Sequence, residues 1–396
     1  MFSFFKKKLE WVDKGILIPV IFLLVFSVLA VYSASTYVAL HDHNNPGYYL
    51  MRQSTFVLIS FVTFFFALAL PFRHLRSAQW TMWGSLIILL ALIGVYFTTP
   101  VLGARRWFNI KFLTIQPAEF AKLFVVWYLT YSFSRRQSRL RNDFLGAILQ
   151  PGILVGLIAV LILFEPDTGT VLIIGGTSVL MAIASGASMK YAARILGISI
   201  LLIALVFAIV GLFGDKLEPL LGYRYGRFIG FSNPFKYADN VGHQLINSYY
   251  ALRRGGFFGV GIGKSIQKTG YLPFPYTDFI LATMGEEIGF LGLLLVLGML
   301  FTLISRIYLV GARTAREFDS LLCIGVASML LVQTMINALG VTGMLPITGI
   351  TFPFLSYGGS SLIVVAFASG LAANASINLK RDRLRLKQQA AKGESQ

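Results

Sequence analysis

Three carboxylates stand at the edge of a long apolar run between residues 270 and 289: Asp278, then Glu286 and Glu287. A membrane edge solvates an anion poorly, so a carboxylate there is costly and binds its proton more tightly than one on a water-facing surface. That makes Asp278 the candidate base. Its alternative role is to cap the helix that follows, a position Asp favours strongly. Glu286 and Glu287, roughly two turns further along, are expected to be buried partners of basic groups more than catalysts. Glu119 and Lys122 form a second constellation. Three residues apart on a helix, they share a face and can pair inside the membrane.

The elements that must position these groups follow from composition. Of 396 residues 56% are hydrophobic and 13% charged, and mean hydropathy is +0.72. These values describe an all-α polytopic membrane protein. Apolar stretches long enough to span occur at 15–35, 54–71, 78–98, 116–133, 145–164, 169–186, 190–213, 276–304, 320–344 and 357–377, about ten transmembrane helices. The basic segment Lys6, Lys7, Lys8 and Lys14 sets the N-terminus in the cytoplasm, and ten crossings return the C-terminus there. A cleavable leader ending near Ser33-Ala34-Ser35 is the rival reading, but the apolar stretch exceeds an ordinary leader core.

This threading places 21 of the 34 Lys and Arg residues on the cytoplasmic side, among them Arg135, Arg136, Arg139, Arg141 and the basic tail in 380–396. The other 13 lie outside or at the outer membrane edge, notably Arg105, Arg106, Lys111, Arg224, Arg227 and Lys264. An outer cation cluster suits a lipid-linked phosphate or pyrophosphate, because guanidinium forks pair bidentately with such oxygens. Contact with lipid headgroups is the alternative.

One domain, 1–396, is expected, with a large extracellular loop, 214–275, between helices 7 and 8. Loops of that length carry function or are disordered. Its glycines at 255, 256, 259, 261 and 263 fit neither the P-loop nor the dinucleotide spacing, and they indicate close backbone approach at the membrane surface. The net charge of +17 belongs to segments beside spans, where it meets anionic lipid; nucleic acid is not an expected partner. Cys323 reads as a small buried hydrophobe, and His41, His43, His74 and His243 lack metal-ligand spacing.

Five motifs in order along nearly the whole chain carry a family resemblance: Gly103-Ala104-Arg105-Arg106-Trp107; Gln116-Pro117-Ala118-Glu119-Phe120-Ala121-Lys122; Glu165-Pro166-Asp167-Thr168-Gly169; Pro273 through Glu287; and Pro353 through Ser360. Together they resemble the SEDS family (shape, elongation, division and sporulation). Asn233-Pro234-Phe235-Lys236 and Gly242 through Ser248 look more like the FtsW-like division branch than the RodA-like elongation branch. The resemblance implies a peptidoglycan glycosyltransferase that polymerises lipid II at the outer face of a bacterial plasma membrane, at the division septum. It implies release of undecaprenyl pyrophosphate and partnership with a class B penicillin-binding protein and other division-complex proteins.

The resemblance places the family's essential aspartate at Asp278. Tyr276 departs from the family pattern, which has His or Asn before the Thr-Asp pair. Pyrophosphate leaves readily, so the transfer needs one base for the attacking hydroxyl and cations for the departing charge. Expected substrate-binding residues are Arg105, Arg106, Glu119, Lys122, Asp167, Arg224, Arg227, Lys264 and Ser356; Glu286, Glu287, Trp107 and Gln116 are expected to support the site. Each carries an alternative. Glu119 and Lys122 line a donor cavity or hold helices together, and Glu119 could hold a divalent cation, Mg or Mn. Arg105 and Arg106 bind phosphate or anchor at the interface beside Trp107. Asp167 caps the helix from Thr168 or contacts substrate or metal. Two other classes of function remain, a transporter (flippase) of the lipid-linked precursor and a scaffold that activates a penicillin-binding protein.

Overall fold

The computed structural model describes residues 8, 10–100, 104–110 and 113–393. Lys6, Lys7, Gly103 and Lys111, named above, lie outside them. Ten long helices are present among the described residues: α1 (Lys14–His43), α2 (Tyr48–Ala69), α3 (Ala78–Gly94), α4 (Pro117–Ser134), α5 (Phe144–Phe164), α6 (Thr168–Ala184), α7 (Met189–Leu221), then α10 (Ile280–Arg313), α11 (Glu317–Val341) and α12 (Gly359–Gly393). The connection between α7 and α10 holds α8 (Tyr223–Ser232) and α9 (His243–Gly255). Eight of the ten are long and apolar enough to cross a membrane. The other two are α4, which carries Glu119 and Lys122, and α6, apolar but 17 residues long.

Local chemistry sets the helix ends. Asp13, Asp143 and Asp167 cap α1, α5 and α6 by accepting from the backbone N–H of Gly15, Gly146 and Thr170. Pro117 opens α4, where its missing N–H costs nothing. Two boundaries differ from expectation. α7 runs on to Leu221, eight residues past the expected end at 213, so the connecting segment is partly helical rather than a loop from 214. α10 starts at Ile280 rather than 276, because Pro273 and Pro275 hold the preceding chain in a turn.

α11 forms the centre of the bundle, flanked by α4, α6, α10 and α12, and α12 packs closely along α2. Small residues permit that approach. A Cβ on Gly370 of α12 would lie 2.4 Å from the Phe64 carbonyl oxygen of α2. α7 stands apart, with none of its most apolar window buried.

Cross-bonds sort the loops into two ends. At one, Arg76 pairs with Asp319 (2.5 Å), Arg316 with Asp382 (2.6 Å), and Lys380 donates to the Val12 carbonyl (3.3 Å). The start of α1 and the later part of α12 therefore meet there. At the other, the hairpin β1–β2 (Phe108–Ile110 and Leu113–Ile115) leads into α4, and the Gln116 N–H donates to Ser360 Oγ at the start of α12 (3.1 Å). Asp278 lies at this second end, opposite Val12 and Lys380.

Candidate functional site

Backbone carbonyls at and just before Asp278 are clamped from two elements, the segment before α12 and α11. The Tyr276 carbonyl accepts from the Tyr357 N–H (2.8 Å), Thr277 from Ser356 Oγ (2.7 Å), and Asp278 itself from Asn337 Nδ2 (2.9 Å). The same Asn337 amide donates to Ile350 (2.7 Å), and Thr283 Oγ1 reaches back to Pro275 (3.1 Å). A turn held at successive carbonyls cannot swing freely, so Asp278 is preorganised rather than mobile.

Asp278 gives no cap bond to α10. Phe279 occupies the cap position and has no side-chain bond. The capping alternative therefore falls, because the helix starts one residue too late for the aspartate to reach its amides. Its carboxyl lies in a narrow crevice with Asn337, Gly340, Ile347, Thr348 and Gly349. Burial pushes it up to about 6, against the opposing pull of Arg227 and Arg106 and a hydrogen bond from Thr277, with Asp167 adding to the rise. A group poised there is ionised at neutral pH yet more basic than a surface aspartate.

Arg227 reaches this point from α8. Gly349 (φ +75°) makes room for it, since a Cβ there would lie 2.9 Å from an Arg227 guanidinium nitrogen and 3.5 Å from Asp278 Oδ2. Arg106 comes from the segment before β1, where Nε donates to the Glu165 carbonyl (2.7 Å) and Nη2 to the Pro166 carbonyl (2.5 Å). Asp167 accepts from the Thr170 N–H (3.0 Å), Thr170 Oγ1 (2.9 Å) and Gln116 Nε2 (3.0 Å). Asp167 thus does cap α6, and it also stands close enough to raise the proton affinity of Asp278. Cap and site coincide. Gln116 supports the site by fixing Asp167, and Trp107 is half-buried beside Arg106.

Several expected substrate contacts have other duties. Glu119 and Lys122 are buried and paired at 2.8 Å, and Lys122 Nζ also donates to Gln333 Oε1 (3.0 Å). Gln333 Nε2 in turn donates to the Thr351 carbonyl (3.0 Å), one residue from the Ile350 carbonyl that Asn337 holds. The pair is joined to the Asp278 turn through one face of α11, the arrangement expected of a structural ion pair. Arg105 donates to the Tyr96 carbonyl (2.8 Å) and Arg224 to the Leu163 carbonyl (2.6 Å), so each ties down the end of a helix. Lys264 is exposed, and its carbonyl accepts from Arg254 (3.3 Å). Ser356 is buried between the Phe352 N–H and the Thr277 carbonyl, where it positions the Asp278 turn.

Glu286 and Glu287 are both buried and both paired, with Arg254 (2.5 Å) and Lys268 (2.6 Å). They lie where α10 breaks at Gly289 (φ +67°). The glycine-rich segment of the preceding loop binds there: the Val260 and Gly261 N–H groups donate to the Glu286 and Glu287 carbonyls, and those of Phe290 and Leu291 donate to the Gly256 and Phe257 carbonyls. A Cβ on Gly259 would sit 2.2 Å from the Glu287 carbonyl oxygen, so these glycines serve close approach, as their spacing suggested.

Gln333 and Asn337 were not among the expected residues, although a Gln and an Asn four apart in an apolar span mark one polar face. Glu165 is the other addition. It is 1% exposed, both its carboxylate oxygens lack a hydrogen-bond partner among the described residues, and burial with Asp167 pushes it up to about 8. Among the described residues no three His, Cys, Asp or Glu side chains converge as a metal site.

The family model described as "Cell cycle protein", covering FtsW, RodA and SpoVE, matches residues 14–381. The chain belongs to that family. It is 38% identical to the probable peptidoglycan glycosyltransferase FtsW of Bacillus subtilis over 378 residues, covering 95% of this chain and 93% of the relative. The corresponding Lactococcus lactis protein is 36% identical over 399 residues, covering 94% of each. Among solved structures, a chain reported under "Structural coordination of polymerization and crosslinking by a peptidoglycan synthase complex" superposes with a TM-score of 0.70 at 24% identity, over 93% of this chain and 98% of that one. The fold is therefore the polytopic helical fold of this membrane family.

Proposed function

We propose that the protein is a peptidoglycan glycosyltransferase of the FtsW type that polymerises lipid II, with Asp278 as general base. The observation that carries this reading is one carboxyl on a clamped backbone turn, raised to about 6, standing in the field of Arg227 and Arg106 at the end of the bundle opposite Val12 and Lys380. A hydroxyl of one lipid-linked disaccharide attacks the anomeric carbon of another. Its proton passes to Asp278, the new glycosidic bond forms, and the lipid pyrophosphate departs with the bonding pair toward the guanidinium groups. No second carboxyl is needed for protonation, in contrast to glycoside hydrolysis, because the leaving group is already stable as an anion.

Relatives named FtsW support placement at the division septum. The fold shared with a chain of a synthase complex supports a crosslinking partner, a class B penicillin-binding protein. The outer orientation of the Asp278 end rests on the basic residues gathered at the opposite end. A Mg or Mn ion would enter with the pyrophosphate, since among the described residues no three carboxylates or imidazoles converge to hold one. Purified protein given labelled lipid II tests the reading: wild type forms glycan strands and Asp278→Asn forms none. Strands from the Asn variant would remove Asp278 as base, and no strands from wild type, with or without its partner, would favour transport or scaffolding.

A further inference from the structure

At the end opposite Asp278 an open cleft of about 420 Å³ lies between the start of α3, the end of α4 and the start of α11. Arg76, Arg135 and Arg316 line it together with Tyr131, Ser134 and one acid, Glu317. We propose that this cleft holds the phosphate of an anionic phospholipid headgroup.

The argument begins with which charges are already satisfied. Arg76 pairs with buried Asp319 (2.5 Å) and Arg316 with Asp382 (2.6 Å), and each keeps guanidinium surface toward the cleft. Arg135 has no carboxylate within 4.0 Å among the described residues; it stacks over Tyr131 (4.9 Å to the ring centroid) and makes only a long contact to the Arg76 carbonyl (3.5 Å). One exposed cation without a carboxylate partner, Arg135, thus lines the cleft together with Tyr131 and Ser134. Such a set matches phosphate oxygens.

The surrounding field has the right sign. Segments 70–77, 135–143 and 313–319, which frame the cleft, carry eight arginines against three acids, Asp143, Glu317 and Asp319. Basic pockets between membrane helices on this kind of face bind acidic lipid headgroups. The depth favours a lipid over a soluble anion. α3 begins two residues after Arg76 and presents Trp80 (53% exposed) and Trp83 (48% exposed) outward, while Trp127 anchors its ring N–H on the Leu75 carbonyl (2.8 Å). Exposed tryptophans on the first turns of a span mark the headgroup level. A phosphate in the cleft would leave its acyl chains against α3.

The test uses the full-length protein and native mass spectrometry with phosphatidylglycerol and phosphatidylcholine as probes. Wild type should retain phosphatidylglycerol about tenfold better, the value of roughly one charge-assisted pair. Arg135→Gln should lose most of that preference, Arg135→Lys should keep part of it, and Arg385→Gln in the tail should keep all of it. Equal melting temperatures will show that the variants fold. Equal retention of the two lipids by wild type, or an unchanged preference in Arg135→Gln, would overturn the proposal. Displacement of phosphatidylglycerol by millimolar inorganic phosphate would overturn its lipid assignment in favour of a soluble anion.

Discussion

Asp278 and the pair Glu286–Glu287 lie within ten residues of one another, yet their surroundings differ. Glu286 accepts from Arg254, Ser265 Oγ and the N–H groups of Ile266 and Gln267, and Glu287 from Lys268 Nζ and Ser33 Oγ. Their lone pairs are occupied, and the bonds pin the loop to the break in α10. At Asp278 the clamps from neighbouring elements fall on the backbone, while the carboxyl, bonded by Thr277 and facing Arg227, lies where burial outweighs the pull of its cations. A carboxylate saturated by short bonds builds structure. One whose frame is fixed but whose oxygens face a crevice can exchange a proton.

Asp278→Asn keeps the shape and removes the base, so lipid II polymerisation should fall by about 10²–10⁴ with the melting temperature nearly unchanged. Glu287→Gln should do the reverse in kind. It leaves buried Lys268 without its charge partner, and unfolding assays should register a loss of about 3–5 kcal/mol. If Glu287→Gln instead lowered turnover in a protein of wild-type stability, the contrast would break.

Gly349→Ala should be a smaller, mixed case. The backbone at φ +75° disfavours a side chain by about 1–2 kcal/mol, and the new methyl would crowd Arg227 against the Asp278 site. Activity should fall more than stability. Glu165→Gln sharpens the comparison from the other side: burial already holds that group largely protonated at neutral pH, so the neutral amide should leave turnover within about threefold of wild type. A large loss would show that the ionised form of Glu165 is required.

Much of this was legible in the sequence because membrane segments advertise themselves. All ten expected spans match long helices, and the carboxylates at 119, 165, 167, 278, 286 and 287 were visible against an apolar background. What a residue touches was less legible. Arg105, Arg106, Arg224 and Arg227 look alike in the chain, yet Arg105 and Arg224 bind carbonyls at helix ends, Arg106 binds two carbonyls and also lowers the proton affinity of Asp278, and Arg227 acts on Asp278. Arg105 and Arg106 are neighbours in one segment and Arg224 and Arg227 share α8, so position in the chain does not separate either pair. Gly349 and Asn337 escaped for a related reason: their work is to shape and clamp a turn that is remote in sequence.

The most direct measurement is the pH dependence of kcat/KM for lipid II polymerisation in wild type and Arg227→Gln. Polymerisation requires ionised Asp278, so the rate should fall on acidification through about pH 6. Arg227 lowers that value, so its removal should move the acid limb to higher pH. A rate that is flat through this region, or an acid limb that stays in place in Arg227→Gln, would contradict the assignment of Asp278 as the base.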